Sequence, residues 1–491
     1  MKEPWQPAVD DLVYEASVEQ LQQAMADGRL TARDLTQYYL CRMAAYNQQG
    51  PDIHAVLEVN PDALHIAEAL DVERAVRGPR GPLHGIPILL KDNIDTGDKM
   101  HTSAGSLALA ESHARSDAHL VRRLREAGAV ILGKTNLTEW ANFMTENMPN
   151  GYSSRGGQVR NPYGPGRLDT GGSSAGSGAA IAANFAAAAI GTETSGSILS
   201  PSSQNSLVGI KPTVGLVSRS GIIPISISQD TAGPMTRSVR DAAVLLGAIA
   251  GWDEQDPATA TALDRIPKDY TAFLDRDGLR GARLGVPRAF FERLDDDKRA
   301  LMNAALDAMR ELGAEVIDPV EIPNLSEIRS IDVMVYEFKV ALNAYLQQVD
   351  PALGIHSLAD VIRFNKEHAA ACLRYGQVLL TRAEATSGTL TDAAYLTAKA
   401  RDWHYSRTVG IDAVLQAHRL DALLFPANWG AALPAKAGYP SITVPAGYAA
   451  TDGEPIGITF TAQAFSEPTL LRLAYAFEQA THHRKPPRFE S

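Results

Sequence analysis

A layered α/β fold with helices covering both faces of its sheet is what this chain predicts, on three observations. Short apolar runs of strand length alternate with amphipathic helical stretches. Those runs suit buried strands, as expected of a sheet covered on both sides. The 491 residues are 45% hydrophobic and 21% charged, an ordinary composition for a soluble protein with a large core.

Helices open the chain. Ser17 and Gln20 form a capping-box pattern, Val18, Leu21 and Met25 share one face, and Gly28 follows as a stop. Thr31 can cap a second helix running to about Tyr46, with Gly50 beyond it. Strands are then expected at 86–90, 129–132, 208–210, 284–286, 423–425, 442–444 and 456–460. Helices are expected at 118–127, 175–190, 239–249, 298–312 and 469–481. With no repeat and no low-complexity linker, 1–491 reads as one domain. Within it, 1–50 forms the N-terminal helices, and 253–430 is a more helical region suited to shaping a substrate site.

Composition narrows the function. A net charge of -11 gives no general attraction for phosphate backbones, so no nucleic-acid partner is expected. Cys41 and Cys372 are too few for a disulfide framework or a cysteine metal site, which fits a reducing compartment. The opening Met1-Lys2-Glu3-Pro4-Trp5 lacks an apolar signal core, and no run of about 18 apolar residues follows. The expectation is a cytoplasmic protein that binds no membrane, metal or organic cofactor.

Three polar clusters could carry chemistry. Gly85-Ile86-Pro87-Ile88-Leu89-Leu90-Lys91-Asp92-Asn93 places a lysine at the end of a buried strand. Gly171-Gly172-Ser173-Ser174-Ala175-Gly176-Ser177-Gly178 opens an alanine-rich helix. Gly191-Thr192-Glu193-Thr194-Ser195-Gly196-Ser197-Ile198 reads as a turn after that helix. Singly, each has a plain explanation: a snorkelling lysine, an N-cap with a flexible approach, and a turn.

Together the clusters resemble the amidase signature family. Its signature has a lysine in a Gly-Ile-Pro-Ile-Leu-Leu-Lys91-Asp context, a relay serine opening Ser173-Ser174, and a nucleophile 24 residues on, at Ser197. Leu132-Gly133-Lys134-Thr135-Asn136, Gln229-Asp230-Thr231-Ala232-Gly233-Pro234 and Gly438-Tyr439-Pro440-Ser441 are similar to family segments too, so the likeness spans nearly the whole chain. It is nearest to the peptide amidase branch.

The resemblance implies a large mixed sheet and hydrolysis of a carboxylic amide, of C-terminal peptide amides above all, through a serine acyl-enzyme. It implies catalytic Ser197, Ser173 and Lys91, with a cis peptide between Gly172 and Ser173 aiming the relay hydroxyl. Backbone N–H groups of Thr194, Ser195 and Gly196, with that of Ser197, would form the oxyanion hole. Ser174, Gly172 and Asp230 would support these groups.

The physical demand is that Lys91 be neutral, and burial behind Ile86, Ile88, Leu89 and Leu90 is the available cause. Moving its pKa from about 10.4 to about 7 disfavours the ammonium by roughly 4–5 kcal/mol. Asp92 must then face away from it. The expected partner is a small-molecule or peptide amide, with no obligate protein partner.

Ala175, Ser195 and Leu199 depart from the commonest signature, which has Gly or Ser, a small residue, and arginine there. The stretch 427–437 is short for the peptide amidase branch, which could admit bulkier amides. Alternatives are a broad aryl or alkyl acylamidase with esterase side activity, and a glutaminase-like subunit of a tRNA-dependent amidotransferase. A lipase-like elbow at Gly172-Ser173-Ser174-Ala175-Gly176 lacks the required preceding strand. His84 reads as a structural hydrogen-bonding histidine.

Overall fold

The computed structural model describes residues 7–489, so the Met1–Trp5 opening lies outside the described residues. The N-terminal helices form as their caps dictate. Ser17 Oγ accepts from Gln20 N at 3.2 Å while Ser17 N donates to Gln20 Oε1 at 2.8 Å, opening the helix Val18–Ala26. Thr31 caps Ala32–Tyr46 by accepting from Asp34 N at 3.0 Å.

Eleven strands among the described residues join in one sheet. From edge to edge they are Val56–Val59, Val130–Thr135, Pro87–Lys91, Ala188–Glu193, Thr231–Thr236, Val208–Lys211, Ser441–Tyr448, Pro455–Thr461, Ala422–Pro426, Arg283–Gly285 and Glu315–Ile317. Pro87–Lys91 is parallel to both neighbours, whereas Ala188–Glu193 is antiparallel to Thr231–Thr236, so the sheet is mixed. Every residue of these four adjacent strands, from Val130–Thr135 to Thr231–Thr236, is buried. A strand buried at every position has both faces covered, which is why these strands carry so few charges. Val239–Ile249 packs on the Thr231–Thr236 strand and Glu467–Thr481 on the Ser441–Tyr448 strand.

One expected helix is corrected. The stretch 175–190 is not a single helix: Ala175–Ala182 is helical, the chain reverses at Asn184, and Ala188–Glu193 is a strand. Alanine runs fit helix and strand alike by periodicity. A tertiary contact decides here. Asn184 holds a left-handed φ of 58° while its carboxamide accepts from Glu15 N at 2.9 Å and donates to Glu15 Oε1 at 2.5 Å. The third polar cluster therefore ends a strand. Thr231–Thr236 also escapes a sequence reading, because Gly233 and Pro234 argue against a central strand. Gly233 is required there, since a Cβ would lie 2.0 Å from Ile210 O.

The region 253–430 contributes Arg283–Gly285, Glu315–Ile317 and Ala422–Pro426 to the sheet edge. Between them, Asp332–Leu346, Leu358–Glu367 and Val378–Glu384 gather around an apolar cluster containing Phe338, Leu342, Leu358 and Leu380. Among the described residues no helix is long and apolar enough to cross a membrane.

Candidate active site

Two parallel strands end side by side and bring the first and third clusters together. Leu90 lies opposite Ile190, so Lys91, the last residue of its strand, comes beside Gly191 and Thr192 of the neighbouring strand. Lys91 is wholly buried. Its Nζ lies 2.7 Å from Ser173 Oγ, 2.9 Å from Thr192 Oγ1 and 3.2 Å from Thr192 O. Burial pushes its ammonium down to about 7, against the upward pull of Glu193 and Asp230.

Asp92 does face away from this cluster. It accepts from Gly105 N at 3.1 Å and from Ser103 Oγ, and Arg155 Nη1 stands 3.4 Å away.

The Gly172–Ser173 peptide is cis. Only glycine fits at 172, where a Cβ would lie 2.6 Å from Thr138 Oγ1 and 2.7 Å from Asn150 Oδ1. Thr138 N donates to Ser173 O at 3.0 Å, and Ser174 N donates to Ser197 O at 3.1 Å. This last bond ties the two serine segments together. Ser174 Oγ is buried between the backbone of Thr192, 3.1 Å from its O and 3.2 Å from its N. With loop rather than strand before it, Ser174 forms no elbow.

Ser197 sits at the mouth, 8% exposed. Its hydroxyl makes no hydrogen bond to Ser173 Oγ or to any other described residue, so Lys91 and Ser173 are linked while Ser197 is their neighbour through the backbone. A serine hydroxyl turns about one bond, on the ps–ns timescale of side-chain rotation. Such contacts often close only when substrate is bound.

The turn before Ser197 is organised by Glu193, which the sequence reading overlooked. Its buried carboxylate accepts from Gly196 N and Ile198 N at 2.7 Å each and from Leu199 N at 3.0 Å. It thereby caps the helix Leu199–Gln204. Burial pushes its carboxyl up, while these donors and buried Lys211 oppose the shift. The signal available was an acidic residue just ahead of a helix start.

Glu193 also corrects the expected oxyanion donors. The Gly196 N–H is already engaged, which leaves those of Thr194, Ser195 and Ser197 for the turn to offer. Ser195 is exposed at the rim. Thr194 Oγ1 donates to Asp230 Oδ1 at 2.5 Å, and Asp230 Oδ2 accepts from Ile225 N at 2.7 Å and Ser226 N at 2.8 Å. Burial pushes the Asp230 carboxyl up to about 6. Asn93 Nδ2 donates to Thr192 Oγ1 at 3.0 Å and so fixes the hydroxyl beside Lys91.

A cavity of about 410 Å³ opens alongside, lined by Thr192, Thr194 and Asp230 on the sheet side and by Ile223, Ile225 and Ala341 beyond. Among the described residues no group of three or more His, Cys, Asp or Glu converges as a metal would require. His84 is buried away from the site, its Nε2 2.8 Å from Leu70 O.

A family model described as Amidase matches residues 34–471. The chain belongs to the amidase signature family. This amidase is 45% identical to a probable amidase from Arabidopsis thaliana over 97% of its own length and 92% of the relative's. It is 34% identical to a glutamyl-tRNA(Gln) amidotransferase subunit from Halorhodospira halophila, covering 97% of this amidase and 100% of that relative. In structure it resembles the native peptide amidase from Stenotrophomonas maltophilia, with 48% identity, a TM-score of 0.89, and 97% and 99% of the two chains covered. It is a hydrolase acting on amide C–N bonds.

Proposed function

We propose that this amidase cleaves C-terminal peptide amides through an acyl-enzyme on Ser197, with Ser173 as proton relay and Lys91 as base. The observation carrying this reading is the 2.7 Å contact between Ser173 Oγ and a wholly buried Lys91 Nζ.

Hydrogen-bond accounting supports the direction of proton flow. A neutral amine has two N–H groups and one lone pair. Thr192 O and Thr192 Oγ1 take the two N–H groups, which leaves the lone pair for the Ser173 hydroxyl proton. Ser173 Oγ then has lone pairs free to receive the proton of Ser197. As Ser197 Oγ bonds to the substrate carbonyl carbon, its proton passes to Ser173 and that of Ser173 to Lys91. The carbonyl oxygen gains charge beside the N–H groups of Thr194, Ser195 and Ser197, each such donor being worth about 3–4 kcal/mol. The relay returns a proton to the leaving nitrogen, the C–N bond breaks and ammonia departs. Water then adds to the acyl carbon by the same route, and the carboxylic acid leaves.

The apolar wall of Ile223, Ile225 and Ala341 suits the side chain of an amino-acid residue, which supports a peptide acyl group. Ala341 and Tyr345, from the helical region, line the same cavity, which supports a substrate-shaping role for that region. Likeness to a peptide amidase at 48% identity supports the same substrate. The chain is taken to work without an obligate protein partner.

The test is a panel of peptide amides, anilides and short aliphatic amides on the purified chain, with Ser197→Ala and Ser174→Ala. Peptide amides should rank first, and Ser197→Ala should lower turnover by about 10⁴-fold or more while Ser174→Ala keeps measurable activity. Anilides far ahead of peptide amides would overturn the substrate. Full activity in Ser197→Ala would overturn the nucleophile. Obligate co-purification with a second protein would favour the amidotransferase reading.

A further inference from the structure

Against the nucleophile turn stands a short loop that the reaction scheme does not use. It follows the Ala422–Pro426 strand, and its backbone is pinned on either side of Asn428. Ala427 N donates to Gly457 O at 2.8 Å, Trp429 N to Pro426 O at 3.0 Å and Ala431 N to Asn428 O at 2.9 Å. The Thr459 hydroxyl bonds Ala427 O. Gly430 packs so tightly that a Cβ would lie 2.2 Å from the Phe425 ring.

Within this rigid frame Ala427 holds φ at +44°, a left-handed value that costs an alanine about 1–2 kcal/mol. The consequence is where Asn428 goes. Its carboxamide lies over Gly196, with Nδ2 3.0 Å from the place a Cβ at 196 would occupy. That position lies between Ser195 and Ser197 in the turn. Yet this carboxamide bonds to no described residue. A fixed backbone presenting a free donor and acceptor beside the nucleophile is the geometry of preorganised recognition.

We infer that Asn428 is a specificity residue that hydrogen-bonds a peptide group in the acyl part of the substrate, next to the amide being cut. The inference rests on the peptide-amide reading above and deepens it. A carboxamide matches a peptide group in kind, since each offers one N–H donor face and one C=O acceptor. An acyl group that is only hydrocarbon would offer it no partner. The short 427–437 stretch, which by sequence alone suggested an opened pocket, would thus act as a selective rim.

A matched pair of substrates isolates the effect: N-acetylphenylalaninamide and 3-phenylpropanamide, which differ only by the acetylamino group. Kinetics on the full-length enzyme would be compared with those of Asn428→Leu and Asn428→Asp, both close in size to asparagine. Asn428→Asp also keeps the polar shape should the leucine variant fail to fold. In the wild type the acetylamino substrate should have the higher kcat/KM. In each folded variant the ratio of the two kcat/KM values should fall about tenfold or more, mainly through KM. A ratio unchanged in the variants overturns the role of Asn428 alone. A wild-type preference for 3-phenylpropanamide overturns the peptide-amide reading and this inference with it.

Discussion

Replacing Lys91 with methionine should abolish turnover and, at the same time, stabilise the fold. Lys91 is wholly buried, and burial holds its pKa near 7 instead of the ordinary 10.5. At 1.36 kcal/mol per unit, the 3.5-unit difference makes the ammonium about 5 kcal/mol less favourable in the folded than in the unfolded chain. Below pH 7 both states carry the proton and that cost is present in full. Between 7 and 10.5 the unfolded chain holds a proton the folded chain lacks, so wild-type stability rises with pH and the cost fades.

Methionine removes the charge but strands the oxygens of Ser173 and Thr192, costing about 1–3 kcal/mol at any pH. The variant should therefore be more stable by about 2–4 kcal/mol at pH 6. Integrating the linkage, this advantage should shrink by about 2–3 kcal/mol at pH 9. Urea unfolding followed by fluorescence of the five tryptophans measures both values. A stability difference that does not change between pH 6 and pH 9 would refute the neutral-lysine argument, because packing alone has no such slope.

Three further outcomes follow from the same geometry. The kcat/KM of the wild type should rise with pH through about 7 as Lys91 loses its proton, and a profile flat from pH 5.5 to 8.5 would contradict this. Gly172→Ala should cost about 1–3 kcal/mol of stability and most of the activity, since the methyl meets Thr138 Oγ1 and Asn150 Oδ1; thermal unfolding and turnover check both. Glu193→Gln replaces one of two accepting oxygens with a donor facing backbone N–H groups. It should lower kcat by roughly 10–100-fold with little change in KM and destabilise by about 2–3 kcal/mol, read from steady-state kinetics and urea unfolding.

The α/β class was legible from local signals and the family from its motifs, while the mixed sheet was available only as what the family resemblance implies. Ser17, Thr31 and the all-apolar strands act through their near neighbours, and the spacing of Lys91, Ser173 and Ser197 is a property of the sequence itself. The burial of Lys91 could likewise be read from the apolar strand that carries it.

What only the tertiary structure decided depends on where groups come to rest in space, whether they are distant or near in the chain. Asn184 breaks an alanine run into helix and strand because Glu15, 169 residues away, completes its hydrogen bonds. Gly196 is withdrawn from the expected oxyanion donors because Glu193 reaches it once the strand has ended and the turn has closed. Asn428 comes to rest over the turn before Ser197 only because two distant strands place its loop there. Hydrogen bonds and close contacts of this kind depend on positions in space, and no periodicity in the sequence encodes which residues will meet.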